Sequence, residues 1–349
     1  MGLLGRLRVD LNATVFAWLL IAELTVLIGF DVAAFLHPAD CQISLAPLLP
    51  SRLVVDGLGG VLAFGVACYA GFESAGAYGE EARTPRTVSR ATFWALGFLG
   101  PLYALSSWAL AVAVGPDQVA QATREDPGLL QSLLQAHLGL AASAAAGALL
   151  VTSILAAMIS FHNTVARTVF GLARERIVPE GLARIGTGMR GGAPTRGSAA
   201  QSGIALVILG VAVLFAVPPL TVFTWLGTVG GLGLLMLLVA TATASRQFFS
   251  SGGGTHEGIW VRHIAPVVGM VAGGLVLFAA VANLDSLLGL PPASPVARLV
   301  PALIAVTALG GLVHGLTLRF GKPEIYAGIS HGRPDPLAVP DQRLGDLEV

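Results

Sequence analysis

Y-A-G-F-E-S-A-G-A-Y-G-E-E-A-R-T-P-R-T-V-S, from Tyr69 to Ser89, sets a glycine break and a lone glutamate inside an otherwise apolar span. The acidic pair Glu80-Glu81, then Arg83, Pro85 and Arg86, follow at once. In lipid every backbone amide and carbonyl needs an internal partner, and an intramembrane charge is expensive. A span tolerates this combination only where the break lines a cavity and the charge has work to do. The stretch points to a transport protein.

Composition agrees with that reading. The chain has 349 residues, of which 54% are hydrophobic and 11% charged. Its mean hydropathy is +0.77. Soluble domains carry about 25% charged residues, so an integral membrane protein is expected. Net charge is zero, which implies no nucleic-acid partner. The two cysteines, Cys41 in a polar loop and Cys68 in an apolar span, argue against a structural disulfide and a metal cluster. Lys322 is the only lysine, and the arginine bias with abundant Ala and Gly hints at a bacterial source. No signal peptide is read at the start, since Met1 to Asp10 leads into a span too long for one.

About 20 apolar residues cross a bilayer as a helix. Charges and prolines divide the chain into eight such spans, at about 14–36, 57–79, 91–116, 138–166, 198–217, 220–245, 264–283 and 299–318. An interfacial piece at 129–136 precedes the fourth, and Pro218-Pro219 separates the fifth from the sixth. The expected architecture is one all-α transmembrane domain over 1–320, with a cytoplasmic tail lacking stable structure at 321–349. Arginine placement tests the count. With both termini in the cytoplasm, seventeen of the twenty basic residues fall on that side, leaving Arg52, Arg124 and Arg298 on the other. The positive-inside rule therefore favours eight spans and this orientation together.

The second span carries the chemistry. A helix opened near Ala70 to Phe72 would present carbonyls of its first half and amides of its second to a cavity. Half-helix ends of this kind suit ammonium and carboxylate groups. Glu73 would brace the break, relay a proton or respond to substrate; the alternative is a kinked, closed helix with Glu73 bonded to a neighbour.

The run G-F-E-S-A-G-A-Y-G-E-E-A-R-T-P-R-T (Gly71 to Thr87) resembles the sixth helix of amino acid–polyamine–organocation permeases. F-H-N-T-V-A-R-T-V-F-G-L-A-R-E-R-I-V-P (Phe161 to Pro179) resembles the end of that family's eighth helix and the following loop. Both lie on the expected cytoplasmic ends of spans two and four, and the likeness extends from about Val9 to Phe320. The resemblance implies a partial five-plus-five inverted-repeat transporter fold. It comprises the second repeat, the last helix of the first repeat and two accessory helices. The family's first four helices, one of which holds the substrate carboxylate, have no counterpart here. Two explanations are open: a chain supplying those helices, or a start internal to a longer protein.

On this resemblance the function is secondary active transport of an amino acid or related amine across the plasma membrane, proton-coupled or by exchange. The alternative is a non-transporting, degenerate permease serving as membrane partner or sensor, or a fragment without function. Tyr69, Ala70, Gly71, Phe72 and Glu73 would line the substrate site. Carbonyls near Ala70 would accept from the ammonium, and Tyr69 and Phe72 would gate it or serve as packing aromatics. Glu23, mid-span in the first helix, stands near where some proton-coupled relatives carry a lysine. It is either a coupling residue or one paired with another helix. Asp31, near the external end, reads as solvated. His162, Asn163 and His314 read as helix caps or headgroup contacts. Gly230-Gly231 and Gly273-Gly274 read as close-packing sites, and Trp18, Trp108, Trp225 and Trp260 as interface or packing residues. No cofactor is implied. H-E-x-x-H and G-x-S-x-G are absent from the sequence, as is any filter motif, which speaks against an enzyme or a channel.

Overall fold

The structure is a computed structural model that describes residues 9–39, 41–49, 51, 58–82, 84–126, 128–186 and 194–329. Every regular element among these residues is helical. Eight helical segments are long and apolar enough to cross a bilayer: Thr14–Leu36, Gly60–Ala77, Arg86–Val114, Leu140–Arg174, Thr195–Leu214, Pro219–Ser250, Trp260–Ala282 and Pro295–Gly321. The chain is thus an all-α, multi-pass membrane protein. Of the basic residues weighed above, Arg6, Arg8, Arg52, Arg83, Arg190, Arg333 and Arg343 lie outside the described residues.

The first helix, α1 (Val9–Leu36), is followed by α2 (Leu58–Ala67) and a 3-10 segment, Phe72–Glu81. Next, α3 (Pro85–Val114) begins on a proline, whose missing N–H costs nothing in a first turn, and ends at Gly115 with φ +93°. Two short helices, α4 (Val119–Glu125) and α5 (Leu129–Leu138), lead to Gly139. Its φ of +84° turns the chain into the 35-residue α6 (Leu140–Arg174). The piece expected ahead of the fourth span is a separate helix, set apart from that span by one glycine. Helix α7 (Thr195–Leu214) is separated from α8 (Pro219–Ser250) by Ala216 at φ +49° and the Pro218-Pro219 pair. A π-helical turn, Trp260–Ile264, runs into α9 (Ala265–Ala282). The described chain closes with α10 (Leu284–Leu287), α11 (Pro295–Gly321) and α12 (Pro323–Gly328). That last helix lies within the segment expected as the tail, of which residues 330–349 lie outside the described residues.

Contacts divide the chain into two compact units. The first holds the described residues of 1–49, 73–208 and 315–349. In it α1 packs on α3, α5 and α6. Its core is Phe30, Ala34, Ala109, Ala113 and Leu134. Alanines on both faces let the α1 and α3 backbones approach closely, which stands in for a hydrophobic driving force inside lipid. Trp108 stacks edge-on against Phe35 at 4.8 Å and donates its indole N–H to the Ser44 carbonyl at 2.8 Å. Helices α6 and α7 cross so tightly at Gly197 that a Cβ there would stand 2.5 Å from the Ala166 carbonyl oxygen. One residue on, Ser198 bonds His162 at 2.8 Å, and both are buried. His162 therefore faces the helix crossing, which corrects its reading as a cap or headgroup contact.

The second unit holds the described residues of 50–72 and 209–314. Helices α2, α8 and α9 pack on one another around Leu232, Leu235, Ala280, Leu284, Leu288 and Ala297. One glycine of each pair serves the packing. A Cβ on Gly231 would meet the Ala67 Cβ at 3.3 Å, and one on Gly273 would meet Val239 at 2.9 Å, while Gly230 and Gly274 face open space. Trp225 donates to the Leu288 carbonyl at 3.2 Å. Large side chains such as Phe64, Phe223 and Phe278 project outward, as a surface bathed in lipid permits.

Candidate functional site

The second span changes its helical geometry at the quoted motif. The amide of Cys68 still bonds the Phe64 carbonyl at 3.0 Å, four residues back. Tyr69 and Ala70 then bond Val66 and Ala67 at 3.0 Å, only three residues back. Gly71 follows at φ +111°, a conformation that a Cβ would strain. Beyond it Phe72 bonds the Tyr69 carbonyl at 3.3 Å, and a 3-10 helix runs for ten residues to Glu81. The expected opening between Ala70 and Phe72 thus falls at the right glycine but takes a different form. The α-helix ends at Ala67, and the second half is not α-helical.

Such a long 3-10 run is uncommon, because its hydrogen bonds are less well aligned than those of an α-helix. The local sequence accounts for it. Ser74, Gly76 and Gly79 lower α propensity, and no neighbour stands within 4 Å of a Cβ on either glycine, so nothing packs the segment into a tighter cylinder. Rising ~2.0 Å per residue rather than ~1.5 Å, the segment gains about a third in length over an α-helix.

The three-residue period also sorts the side chains. Residues three apart eclipse in a 3-10 helix, so Glu73, Gly76 and Gly79 fall in one row. All three are exposed, whereas Phe72, Ser74, Ala75 and Ala77 are half-buried. Glu73 thus heads a row with no other side chain until Ala82. Tyr69 is half-buried and Ala70 exposed just before the break. The division between the two units falls between Phe72 and Glu73.

Glu23 belongs to the first unit. It is half-buried on α1, and its Oε2 accepts a hydrogen bond from Ser153 Oγ of α6 at 3.0 Å. Asp31 corrects an expectation outright. It is 2% exposed rather than solvated, with Oδ2 accepting from Ser106 Oγ of α3 at 2.7 Å. Its other oxygen, Oδ1, is enclosed and has no hydrogen-bond partner. The neighbouring Ala33-Ala34 pair was the available signal, since small residues mark the face where helices meet closely.

Comparison with known proteins gives the family. No curated protein and no solved structure matches the chain. The family described as "Amino acid permease" matches residues 8–282, more than three quarters of the sequence. The match takes in the broken second span, the Asn163-to-Arg167 segment and both intramembrane acids of α1. With eight spanning helices and a glycine-centred break, the chain belongs to the amino acid permease family of the amino acid–polyamine–organocation superfamily.

Proposed function

We propose that this protein carries an amino acid or related amine across the plasma membrane by secondary active transport, proton-coupled or by exchange. The carrying observation is the second span, where the α-helix stops at Ala67, Gly71 holds φ +111° and a 3-10 helix follows. A break of this kind replaces the regular α-helical ladder with three-residue turns inside a span, the form in which discontinuous helices of transporters present backbone and polar groups to a ligand. In this reading Tyr69, Ala70, Gly71, Phe72 and Glu73 line the substrate site, with carbonyls near Ala70 accepting from its ammonium group and Glu73 bracing the break, relaying a proton or responding to the substrate. Glu23 responds to coupling through its bond to Ser153. The arginine distribution supports a multi-pass orientation with both termini cytoplasmic, and the arginine-for-lysine bias supports a bacterial origin.

The test is counterflow of radiolabelled amino acids into proteoliposomes holding the full chain. Counterflow is expected for one chemical group of amino acids and lost in Gly71→Leu and Glu73→Ala. Full activity of Glu73→Ala would remove Glu73 from the site. Absence of counterflow for every amino acid and amine would support the non-transporting reading, unless a second chain restores it.

A further inference from the structure

Asp31 is the one buried acidic side chain among the described residues. On α1 it stands a turn from Ala34, and on α3 its partner Ser106 stands a turn from Ala109, so the carboxyl lies beside the apolar cluster of Phe30, Ala34, Ala109 and Ala113. A carboxylate with one oxygen bonded and the other enclosed without a partner is costly in such surroundings. Among the described side chains, neutralisation by a neighbour finds no candidate on the elements that pack here. On α1 itself, Glu23 lies eight residues away and is bonded to Ser153. His37 is exposed beyond the end of α1.

The basic residues of α3, Arg86 and Arg90, begin the helix; Arg90 lies sixteen residues from Ser106, about 24 Å along the axis. Asp117, past the end of that helix, is acidic, and Glu125 of α4 is exposed and bonded to Gln121. From α5 comes His137, whose ring meets Phe30 edge-on at 6.0 Å, one residue from Asp31. Helix α6 has no ionisable residue before His162, which bonds Ser198. Among the described residues no group of three or more His, Cys, Asp or Glu side chains could hold a metal ion, and the side-chain donor to this carboxyl is Ser106 alone. One carboxyl and one hydroxyl are too few to replace the shell of a hydrated metal ion, whereas a proton needs a single oxygen.

We propose that Asp31, clamped by Ser106, is a proton-binding site inside the α1–α3 contact that exchanges with water only when the two helices part. With the helices together Oδ2 accepts from Ser106; with them parted Oδ1 takes its proton from water or returns it to water. Parting α1 from α3 breaks that bond and wets the carboxyl, so proton exchange and helix separation are one event. The site is distinct from the segment assigned to substrate. It is read without substrate, so its failure and a failure of transport are separate results.

The experiment is infrared difference spectroscopy of the full chain in lipid nanodiscs, stepped in pH and repeated in deuterium oxide. A deuterium-sensitive carboxyl C=O band is expected in the wild type and in Glu23→Gln, and is lost in Asp31→Asn. In Ser106→Ala the band moves to higher frequency, because the carbonyl oxygen has lost its donor. Asparagine keeps the oxygen that Ser106 bonds, so the fold is retained, with the elution profile as the check. Should Asp31→Asn nevertheless fail to fold, the Ser106→Ala shift reads the same site. An unshifted band, or identical bands in wild type and Asp31→Asn, overturns the proposal. A band that responds to sodium at constant pH overturns it in favour of a metal ion.

Discussion

Replacing Gly71 with alanine adds one methyl group and almost no bulk, so it asks whether the backbone alone makes the break. Gly71 stands at φ +111°, and holding an L-residue in so sparsely populated a region costs about 1–3 kcal/mol. Alanine also narrows the unfolded ensemble, which offsets about 0.4–1 kcal/mol of that cost. A net loss of up to about 2.6 kcal/mol remains, with about 1.3 kcal/mol at the midpoints, a factor of roughly 10 in the folded equilibrium. The chain escapes the strain only by turning φ negative, which gives up the 3.3 Å bond from Phe72 to the Tyr69 carbonyl and redirects the 3-10 segment. Either way stability or geometry is lost.

The assay pairs unfolding of the purified protein in nanodiscs with counterflow in proteoliposomes. Gly76→Ala is the control: a Cβ there meets nothing within 4 Å and φ is not positive, so a change within about 0.5 kcal/mol is expected. Gly71→Ala matching the wild type in both stability and flux would refute the reasoning that the left-handed glycine makes the break.

Gly197→Ala would force a Cβ to within 2.5 Å of the Ala166 carbonyl oxygen, a backbone atom that cannot swing away. A loss of about 1–3 kcal/mol is expected in nanodisc unfolding, while Gly203→Ala on the same helix, with open space around it, stays near neutral. Ser153→Ala removes the donor to Glu23 and should cost about 1–3 kcal/mol. In a double-mutant cycle most of that cost disappears when Glu23 is already alanine, and simple additivity would show that the bond contributes nothing.

The spans, their number and the position of the break were legible in the sequence because each depends on local properties. A run of about 20 apolar residues is either long enough to cross lipid or it is not. Pro218-Pro219 ends a helix in any surroundings, and Gly71 is the natural place for a backbone that turns left-handed. The G-F-E segment could be read as a break for the same reason, since a glutamate and a glycine inside an apolar run conflict with lipid whatever surrounds them. The 3-10 form of residues 72–81 was not legible, because Ser and Gly disfavour the α-helix without specifying what replaces it.

The acids were decided by tertiary structure alone. Asp31 near a span end reads as solvated until Ser106, 75 residues away, closes over it. Glu23 has no visible partner until Ser153, 130 residues away, donates to it. His162 looks like a helix-end residue until Ser198, with Gly197 against Ala166, encloses it. A serine signals nothing in one dimension, since its hydroxyl can return to its own helix or reach across to the next. Which it does depends on how closely two backbones approach, and that is settled only when the helices pack.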